Sequence, residues 1–284
     1  MAQFTNQAQL TYNNITVNSN IAVGQLLEAL TATKTAAGDT YAQNGEVTYV
    51  VTLVNSGNTP ITGVSVSDDL GAYPFGTETL TPLTYVDGSV LLYANGVLQA
   101  APPVSTTPTL TFGNITIPAN GNVTLVYKAT VNEYAPFDAD ASIINTATAT
   151  GNGILTPVEA TETITPAQGP QLTITKSLDP TIVTDNSTLT YQFVIQNYGN
   201  VAAIATDNVA VTDTFDPILS SIVVTLNGTP LVLGTDYTYD ETTGVFATTP
   251  GVITVPVATF AQDPVTGVQT VIPGTTTLTV QGIV

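Results

Sequence analysis

Residues 4–12 read FTNQAQLTY and alternate strictly between two kinds of side chain. Successive side chains of a β-strand point to opposite faces, so one face of this stretch carries only Thr and Gln. The other face is apolar apart from one asparagine, and it consists of Phe4, Asn6, Ala8, Leu10 and Tyr12. The pattern predicts a strand buried on one side, then a turn at residues 13–14 and a second strand over residues 15–23.

A stretch in the middle of the chain has the same pattern. Residues 143–150 read IINTATAT, with Ile143, Asn145, Ala147 and Ala149 on one face. In both stretches an Asn in the apolar row is followed by Ala two positions later. We interpret the mid-chain copy as the closing strand of a first domain, and the N-terminal copy as a strand that closes the second domain of another molecule.

Length and composition predict an all-β protein of two domains. The chain has 284 residues, is 43% hydrophobic and is rich in Gly, Pro, Thr, Asn and Val, without a long stretch of helical periodicity. We predict a donor hairpin followed by two tandem β-sandwiches. The predicted bounds are 1–24 for the N-terminal donor hairpin, 25–165 for the first sandwich, 166–170 for a linker and 171–284 for the second sandwich.

The charged and reactive residue types exclude several functions. The net charge is −18 with three Lys and no Arg, which excludes nucleic acid or anionic lipid as a partner of a basic patch. The chain has no His and no Cys, so the usual general base, disulfides and most zinc sites are absent. We expect no cofactor and no metal. No apolar run reaches transmembrane length, so we expect no membrane insertion.

The chain contains an internal repeat. The matched segments are Val47-Thr48-Tyr49 with Leu189-Thr190-Tyr191, Asn55-Ser56-Gly57-Asn58 with Asn197-Tyr198-Gly199-Asn200, and Gly121–Val131 with Gly274–Val284. The second copy has no counterpart of the predicted hairpin at residues 143–164. An open sandwich of this kind exposes an unpaired edge, which a strand from a neighbouring subunit can fill. Donor and acceptor at opposite ends give an open filament. The alternatives are a frayed tail or a strand packed on its own second domain.

Two of the three lysines occupy the same repeat position. Lys34 and Lys176 each lie on the apolar face of a predicted strand, and Asp68 and Asp213 also match each other. An unpaired ammonium is costly to bury, so one interpretation is that both lysines reach the rim of the sandwich or pair with Asp. The sharper hypothesis is a self-formed isopeptide bond, in which a buried neutral amine attacks an Asn carboxamide and a carboxyl group assists.

The repeat selects the candidates for this chemistry. In the first domain they are Lys34 and Asn145, with Asp68 as the helper; Asp69 is a possible substitute for it. In the second domain Lys176 and Asp213 are present but the equivalent Asn is missing, and Asn6 of the next subunit has the matching strand context. Lys128 aligns with a glutamine and is predicted to be an ordinary surface residue.

These motifs together resemble a known family. The Lys-bearing first strand, the Asn55-Ser56-Gly57-Asn58 segment, the strand around Asp213 and the ending Asn145-Thr-Ala-Thr are similar to the conserved repeat domain found in tandem in bacterial surface and spore-associated proteins. The resemblance implies Ig-like β-sandwiches of the kind used in adhesins and pilins, where Lys–Asn bonds with an acidic helper are known. It also implies an extracellular location on a cell or spore.

Three functions follow as hypotheses. The first is a structural subunit of a head-to-tail extracellular filament, whose partner is another copy of itself and whose surface anchor is unidentified. The second is a monomeric adhesin or glycan-binding module, for which 12 Tyr are available but no Trp. The third is an enzyme, which would depend on a carboxylate pair because His and Cys are absent. We expect no enzyme activity beyond formation of the protein's own isopeptide bonds.

Overall fold

The computed structural model describes residues 2–26 and 29–284, and for residues 2–4, 25 and 26 it describes the backbone alone. Within these residues the regular structure consists of β-strands and one 3-10 turn at Ala205–Asp207, which confirms the predicted all-β class. The chain divides into two compact units. The first contains Met1–Ala135 and Ser142–Thr165, and the second contains Pro136–Ala141 and Pro166–Val284.

The N-terminal residues form a hairpin, and within the described part of the chain its strands pair only with each other. Its strands are β1 (Ala2–Asn6), β2 (Gln9–Tyr12), β3 (Ile15–Asn18) and β4 (Ala22–Leu26). β1 pairs with β4, and β2 pairs with β3. The turn residues Asn13 and Asn14 have φ of 44° and 64°, the left-handed conformation that a two-residue hairpin turn requires.

The structure divides the strand predicted over residues 4–12 into β1 and β2. At the break, the Ala8 N–H donates to the Ser19 hydroxyl at 2.9 Å, and the Ser19 N–H donates to the Ala8 carbonyl at 2.8 Å. The side-chain hydroxyl thus replaces a regular ladder bond. The described side chains from Thr5 to Val23 are all exposed. Leu27 and Glu28, at the start of another predicted strand, lie outside the described residues.

Apart from the N-terminal hairpin and a two-stranded sheet formed by residues 73–75 and 78–80, the first unit consists of two large sheets packed face to face. One has the order β13-β12-β16-β7-β5 with β11 beside β16, and the other has the order β14-β15-β8-β17-β18-β6. The strands are β5 (Leu30–Ala36), β6 (Thr40–Tyr41), β7 (Glu46–Asn55), β8 (Ile61–Asp68), β9 (Tyr73–Phe75), β10 (Glu78–Leu80), β11 (Leu83–Tyr85), β12 (Leu91–Ala94), β13 (Val97–Leu98), β14 (Val104–Ser105), β15 (Leu110–Ile117), β16 (Gly121–Val131), β17 (Ile143–Thr150) and β18 (Val158–Pro166). The strand predicted over residues 143–150 is β17, which lies between β8 and β18.

The second unit has one five-stranded sheet and two smaller sheets, of three and two strands. Its sheets have the orders β19-β20-β28-β22-β23, β21-β25-β24 and β26-β27. The strands are β19 (Leu172–Asp179), β20 (Thr188–Asn197), β21 (Thr212–Thr214), β22 (Ser220–Leu226), β23 (Thr229–Pro230), β24 (Tyr237–Tyr239), β25 (Val245–Thr248), β26 (Thr259–Gln262), β27 (Gln269–Ile272) and β28 (Gly274–Ile283). β21 contains Asp213 and therefore corresponds to β8. No described strand pairs with β21 on the side where β17 lies in the first unit.

Residues 136–141 belong to a different unit from the one that the sequence-based bounds give them. They follow β16, and the predicted bounds placed them in the first sandwich, whereas their contacts place them in the second unit. The Phe137 ring packs against Phe260 with centroids 6.4 Å apart, and the Asn200 side-chain amide donates to the Phe137 carbonyl at 3.2 Å. An aromatic side chain and a buried amide thus determine which unit this loop joins.

Candidate functional site

The first unit holds a buried lysine–aspartate pair. Lys34 Nζ donates to Asp68 Oδ2 at 2.6 Å, and both side chains have 0% exposure. Lys34 comes from the edge strand β5 of one sheet and Asp68 from the end of β8 in the other. Nζ also lies 4.7 Å from the centre of the Tyr49 ring. Burial lowers the pKa of Lys34, and the neighbouring Asp68 charge only partly opposes this shift.

Three donors occupy the Asp68 carboxylate. Oδ2 accepts hydrogen bonds from Lys34 and from the Tyr127 hydroxyl, and Oδ1 accepts the Leu70 N–H at 3.0 Å. Burial and then the Asp68 charge raise the pKa of Tyr127 well above its usual value, so this hydroxyl remains a donor. Asp68 is thus positioned to take a proton from Lys34, which would leave a neutral amine in an apolar core.

Asn145 lies in the same core with an unsatisfied side chain. It is fully buried, and neither its Oδ1 nor its Nδ2 has a hydrogen-bond partner. Such a group costs about 1–3 kcal/mol relative to a satisfied one. The strand register places it near Asp68, because Ala147, two residues further along β17, lies opposite Asp68. The Asn145 carboxamide also lies beside the hydroxyls of Tyr49 and Tyr127.

Lys34 and Asn145 therefore share Tyr49 as a neighbour, one over its ring and the other beside its hydroxyl. Their strands, β5 and β17, also approach each other across the two sheets. The sequence analysis did not assign a role to Tyr49 or Tyr127. The signal for Tyr49 was present, since it repeats as Tyr191; Tyr127 has no such signal, because Val280 occupies its place in the second copy.

The two other charged residues considered from the sequence have different contacts. Asp69 Oδ1 accepts the N–H groups of Gly71 and Thr146, each at 2.9 Å, so it fastens β17 to the end of β8. The carboxylate that pairs with Lys34 is that of Asp68. Lys128 forms an ion pair with Glu46 at 2.9 Å, and both side chains are about half exposed. Exposed pairs of this kind contribute little to stability.

We expect Asp69→Ala to loosen β17. The substitution removes the acceptor of two backbone N–H groups and should lower the free energy of unfolding of the first unit by about 1–3 kcal/mol. Chemical denaturation should be measured in an Asn145→Ala background, so that no cross-link masks the effect. Asp87→Ala, at an exposed aspartate, is the control and should leave the midpoint unchanged. Equal midpoints for the two variants would contradict this role of Asp69.

The second unit holds the equivalent pair in an open setting. Lys176 Nζ donates to Asp213 Oδ2 at 2.5 Å, but the side chains are 40% and 18% exposed. Nζ lies 4.4 Å from the centre of the Tyr191 ring, as Lys34 does over Tyr49. All residues of β19 are exposed, including Ile174. The main difference from the first unit is that no strand among the described residues occupies the position of β17.

The remaining predicted site residues lie in the N-terminal hairpin. Asn6, Ala8, Leu10 and Tyr12 are exposed. Asn6 pairs with Ala22 on β4, so its backbone position within a hairpin parallels that of Asn145, which pairs with Glu162 on β18. The side chain of Phe4 lies outside the described residues.

Two kinds of feature are absent from the described residues. Residues 2–26 and 29–284 contain no cluster of three or more His, Cys, Asp or Glu that could hold a metal ion. The same part of the chain includes no helix with the length and apolar character needed to cross a membrane.

Comparisons with known proteins found distant structural similarity alone. No protein-family model matches the chain, and no curated protein matches it. The chain is similar to BcpA, the major pilin subunit of Bacillus cereus, with 14% identity and a TM-score of 0.36 over 96% of this chain and 73% of that one. It is similar to ACE19, the collagen-binding subdomain of the Enterococcus faecalis surface protein ACE, with 12% identity and a TM-score of 0.31 over 50% of this chain and 99% of that one.

A third similar structure is an enzyme. It is a family 123 glycoside hydrolase from Clostridium perfringens, with 9% identity and a TM-score of 0.30, and the match covers 49% of this chain. The chain spans 28% of the length of that enzyme. All three TM-scores are below 0.5, so these similarities carry no argument about function.

Proposed function

We propose that this protein is the structural subunit of an extracellular filament in which the N-terminal hairpin of one subunit completes the second unit of the next. The observation that carries the proposal is the contrast between the two repeats. Lys34 and Asp68 are sealed beneath β17, whereas Lys176 and Asp213 are open where an equivalent strand would lie. The hairpin carries the same Asn and Ala spacing as β17, and among the described residues its strands pair with neither sandwich.

The register of the proposed joint is taken by analogy from the first unit. Ala147 lies opposite Asp68 and Ala149 opposite Val66. Because Asn6 corresponds to Asn145 and Asp213 to Asp68, Ala8 would lie opposite Asp213. Leu10 would then lie opposite Val211, and Asn6 would reach Lys176. The exposed apolar residues of β19 and of the hairpin would be buried together, which supplies the driving force for assembly.

We propose that isopeptide bonds cross-link the first unit internally and join neighbouring subunits covalently. Lys34 transfers a proton to Asp68, and the neutral Nζ attacks Cγ of Asn145. Asp68 gives this proton to the leaving nitrogen and takes the second proton of Nζ, the Cγ–Nδ2 bond breaks and ammonia departs, so that one amide replaces another and Asp68 ends protonated. In the second unit the same reaction needs Asn6 of the neighbouring subunit. Docking must come first, because Lys176 and Asp213 face water until a strand occupies the position equivalent to β17. Donor and acceptor are different surfaces, so repeated joints give a filament.

Electron microscopy of the purified full chain tests this proposal, and fibres are expected. In a boiled denaturing gel, wild-type fibres should give a ladder of multimers, because amide bonds survive boiling. Asn6→Ala fibres should give monomers, while an Asn152→Ala control at an exposed asparagine keeps the ladder. Globular monomers under all conditions would contradict the filament and favour a monomeric adhesin or glycan-binding module. Antibody labelling of intact cells or spores tests the extracellular location.

A further inference from the structure

One hydroxyl group in the first core has no partner and lies beside the proposed reacting group. Tyr49 is fully buried, and its hydroxyl makes no hydrogen bond. The Asn145 carboxamide next to it makes none either. Buried polar groups in folded proteins are almost always paired, so two unsatisfied neighbours require an explanation. They lie side by side without a hydrogen bond, with the amide nitrogen of Asn145 towards the Tyr49 oxygen. Because neither Oδ1 nor Nδ2 has a partner, a half-turn of the carboxamide about its Cβ–Cγ bond breaks no hydrogen bond and presents Oδ1 to the Tyr49 hydroxyl.

Asp68 is not available as a hydrogen-bond partner of Asn145 in the structure. Its two oxygens already accept three hydrogen bonds, from Lys34, Tyr127 and the Leu70 N–H. The Tyr127 hydroxyl has a single hydrogen, which it donates to Asp68. The hydrogen of Tyr49 is therefore the one available to the Asn145 carbonyl oxygen. Burial raises the pKa of Tyr49 above its usual value, which keeps that hydrogen in place at neutral pH.

We propose that Tyr49 donates a hydrogen bond to Asn145 Oδ1 as Lys34 attacks, and so stabilises the negative charge that develops on this oxygen. The inference rests on the proposed cross-link and adds a fourth participant to it. The attack converts the carbonyl oxygen into an oxyanion, and a donor fixed in an apolar core is an effective stabiliser of such charge. Each residue then has a separate role. Asp68 transfers the protons, Tyr49 stabilises the oxyanion, and Tyr127 holds Asp68 in position through its hydrogen bond.

The position of Tyr49 also organises the amine. Its ring face lies under Lys34 Nζ at 4.7 Å while its hydroxyl end reaches Asn145. The Tyr49 and Tyr127 rings are stacked with centroids 5.7 Å apart, which fixes both hydroxyls. The second unit repeats this arrangement, since Lys176 Nζ lies 4.4 Å from the centre of the Tyr191 ring. We therefore expect Tyr191 to serve Asn6 at the joint as Tyr49 serves Asn145.

Tyr49→Phe tests the inference, with Tyr85→Phe as the matched control. Tyr85 is also buried in the first unit with a hydroxyl that has no partner, and its ring packs against Phe112. Both variants remove an unsatisfied hydroxyl and keep the ring, so both should fold. The full chain would be synthesised in a cell-free reaction and quenched in acid at intervals. Loss of ammonia from the first unit would be followed by intact mass in a Lys176→Ala background.

The rate of ammonia loss should fall about a hundredfold in Tyr49→Phe and stay at the parent rate in Tyr85→Phe, as for the removal of one oxyanion donor. A parent rate in Tyr49→Phe would overturn the inference while leaving the cross-link intact. Equal slowing in both variants would also overturn it, because a general packing effect would then explain the result. If the parent chain itself never loses ammonia, the proposed cross-link fails and the role of Tyr49 fails with it.

Discussion

Filaments are expected from a Gln9→Asp chain and not from an Ala8→Asp chain. The two residues are neighbours on the exposed N-terminal hairpin, and each variant adds one negative charge there. In the continuous strand of the proposed joint they would face opposite sides. In the proposed joint Ala8 takes the place of Ala147, which is buried opposite Asp68 in the first unit. A carboxylate at residue 8 would therefore enter the second core beside Asp213.

The expected effect is large because the added charge would be buried without a partner. Burying an unpaired carboxylate costs several kcal/mol, and about 4 kcal/mol corresponds to a thousandfold increase in the concentration needed for assembly. At residue 9 the charge stays near solvent, as the partly exposed Thr148 does in the first unit. Light scattering and electron microscopy across a concentration series provide the measurement. Equal assembly of the two variants would rule out insertion of the apolar row into a core.

Parts of the fold and of the candidate site can be predicted from the sequence because they depend on local periodicity and on the repeat. The bounds of β17 agree with the alternating stretch at residues 143–150, and the two matched lysines each pair with a matched aspartate. A period of two fixes which residues share a face, and a repeat fixes which faces correspond. Neither requires knowledge of the tertiary contacts.

Other parts depend on contacts that no local pattern encodes. The break between β1 and β2 arises because the Ser19 hydroxyl accepts the Ala8 N–H. The loop at residues 136–141 joins the second unit through Phe137 and Asn200. The unsatisfied Tyr49 hydroxyl is recognisable only once all of its neighbours are known. In each case a side chain selects its partner from residues distant in sequence, and alternation in the sequence cannot specify that choice.

The second large effect is expected from Asn145→Ala. The wild-type chain should be lighter than its sequence mass by one ammonia for the Lys34–Asn145 bond, and the variant should lack this loss. To isolate the first unit, both chains would carry Lys176→Ala, which removes the proposed bond at the joint. Intact mass spectrometry provides the measurement, and a wild-type mass equal to the sequence mass would remove this bond from the proposal.

Stability gives an independent test of the Lys34–Asn145 bond. The loss of unfolding free energy in Asn145→Ala should be large if the bond forms and small if it does not. A bond between residues 34 and 145 closes a loop of about 110 residues, and by the chain-entropy estimate for cross-links its loss should destabilise the first unit by on the order of 5 kcal/mol. Without the bond, Asn145→Ala removes an unsatisfied buried amide and leaves a small cavity. These effects have opposite signs, so the net change should stay within about 2 kcal/mol.

Denaturant unfolding followed by tyrosine fluorescence distinguishes these cases, since the chain has 12 Tyr and no Trp. Asn145→Ala is preferable to Lys34→Ala for this purpose. Removing the lysine would leave Asp68 buried without its cation, which destabilises by about 3–5 kcal/mol whether or not a bond forms. Asn145 makes no hydrogen bond in the unreacted core, so its removal breaks no other polar interaction. A large loss of stability in Asn145→Ala thus requires a covalent bond, and a small change would contradict one.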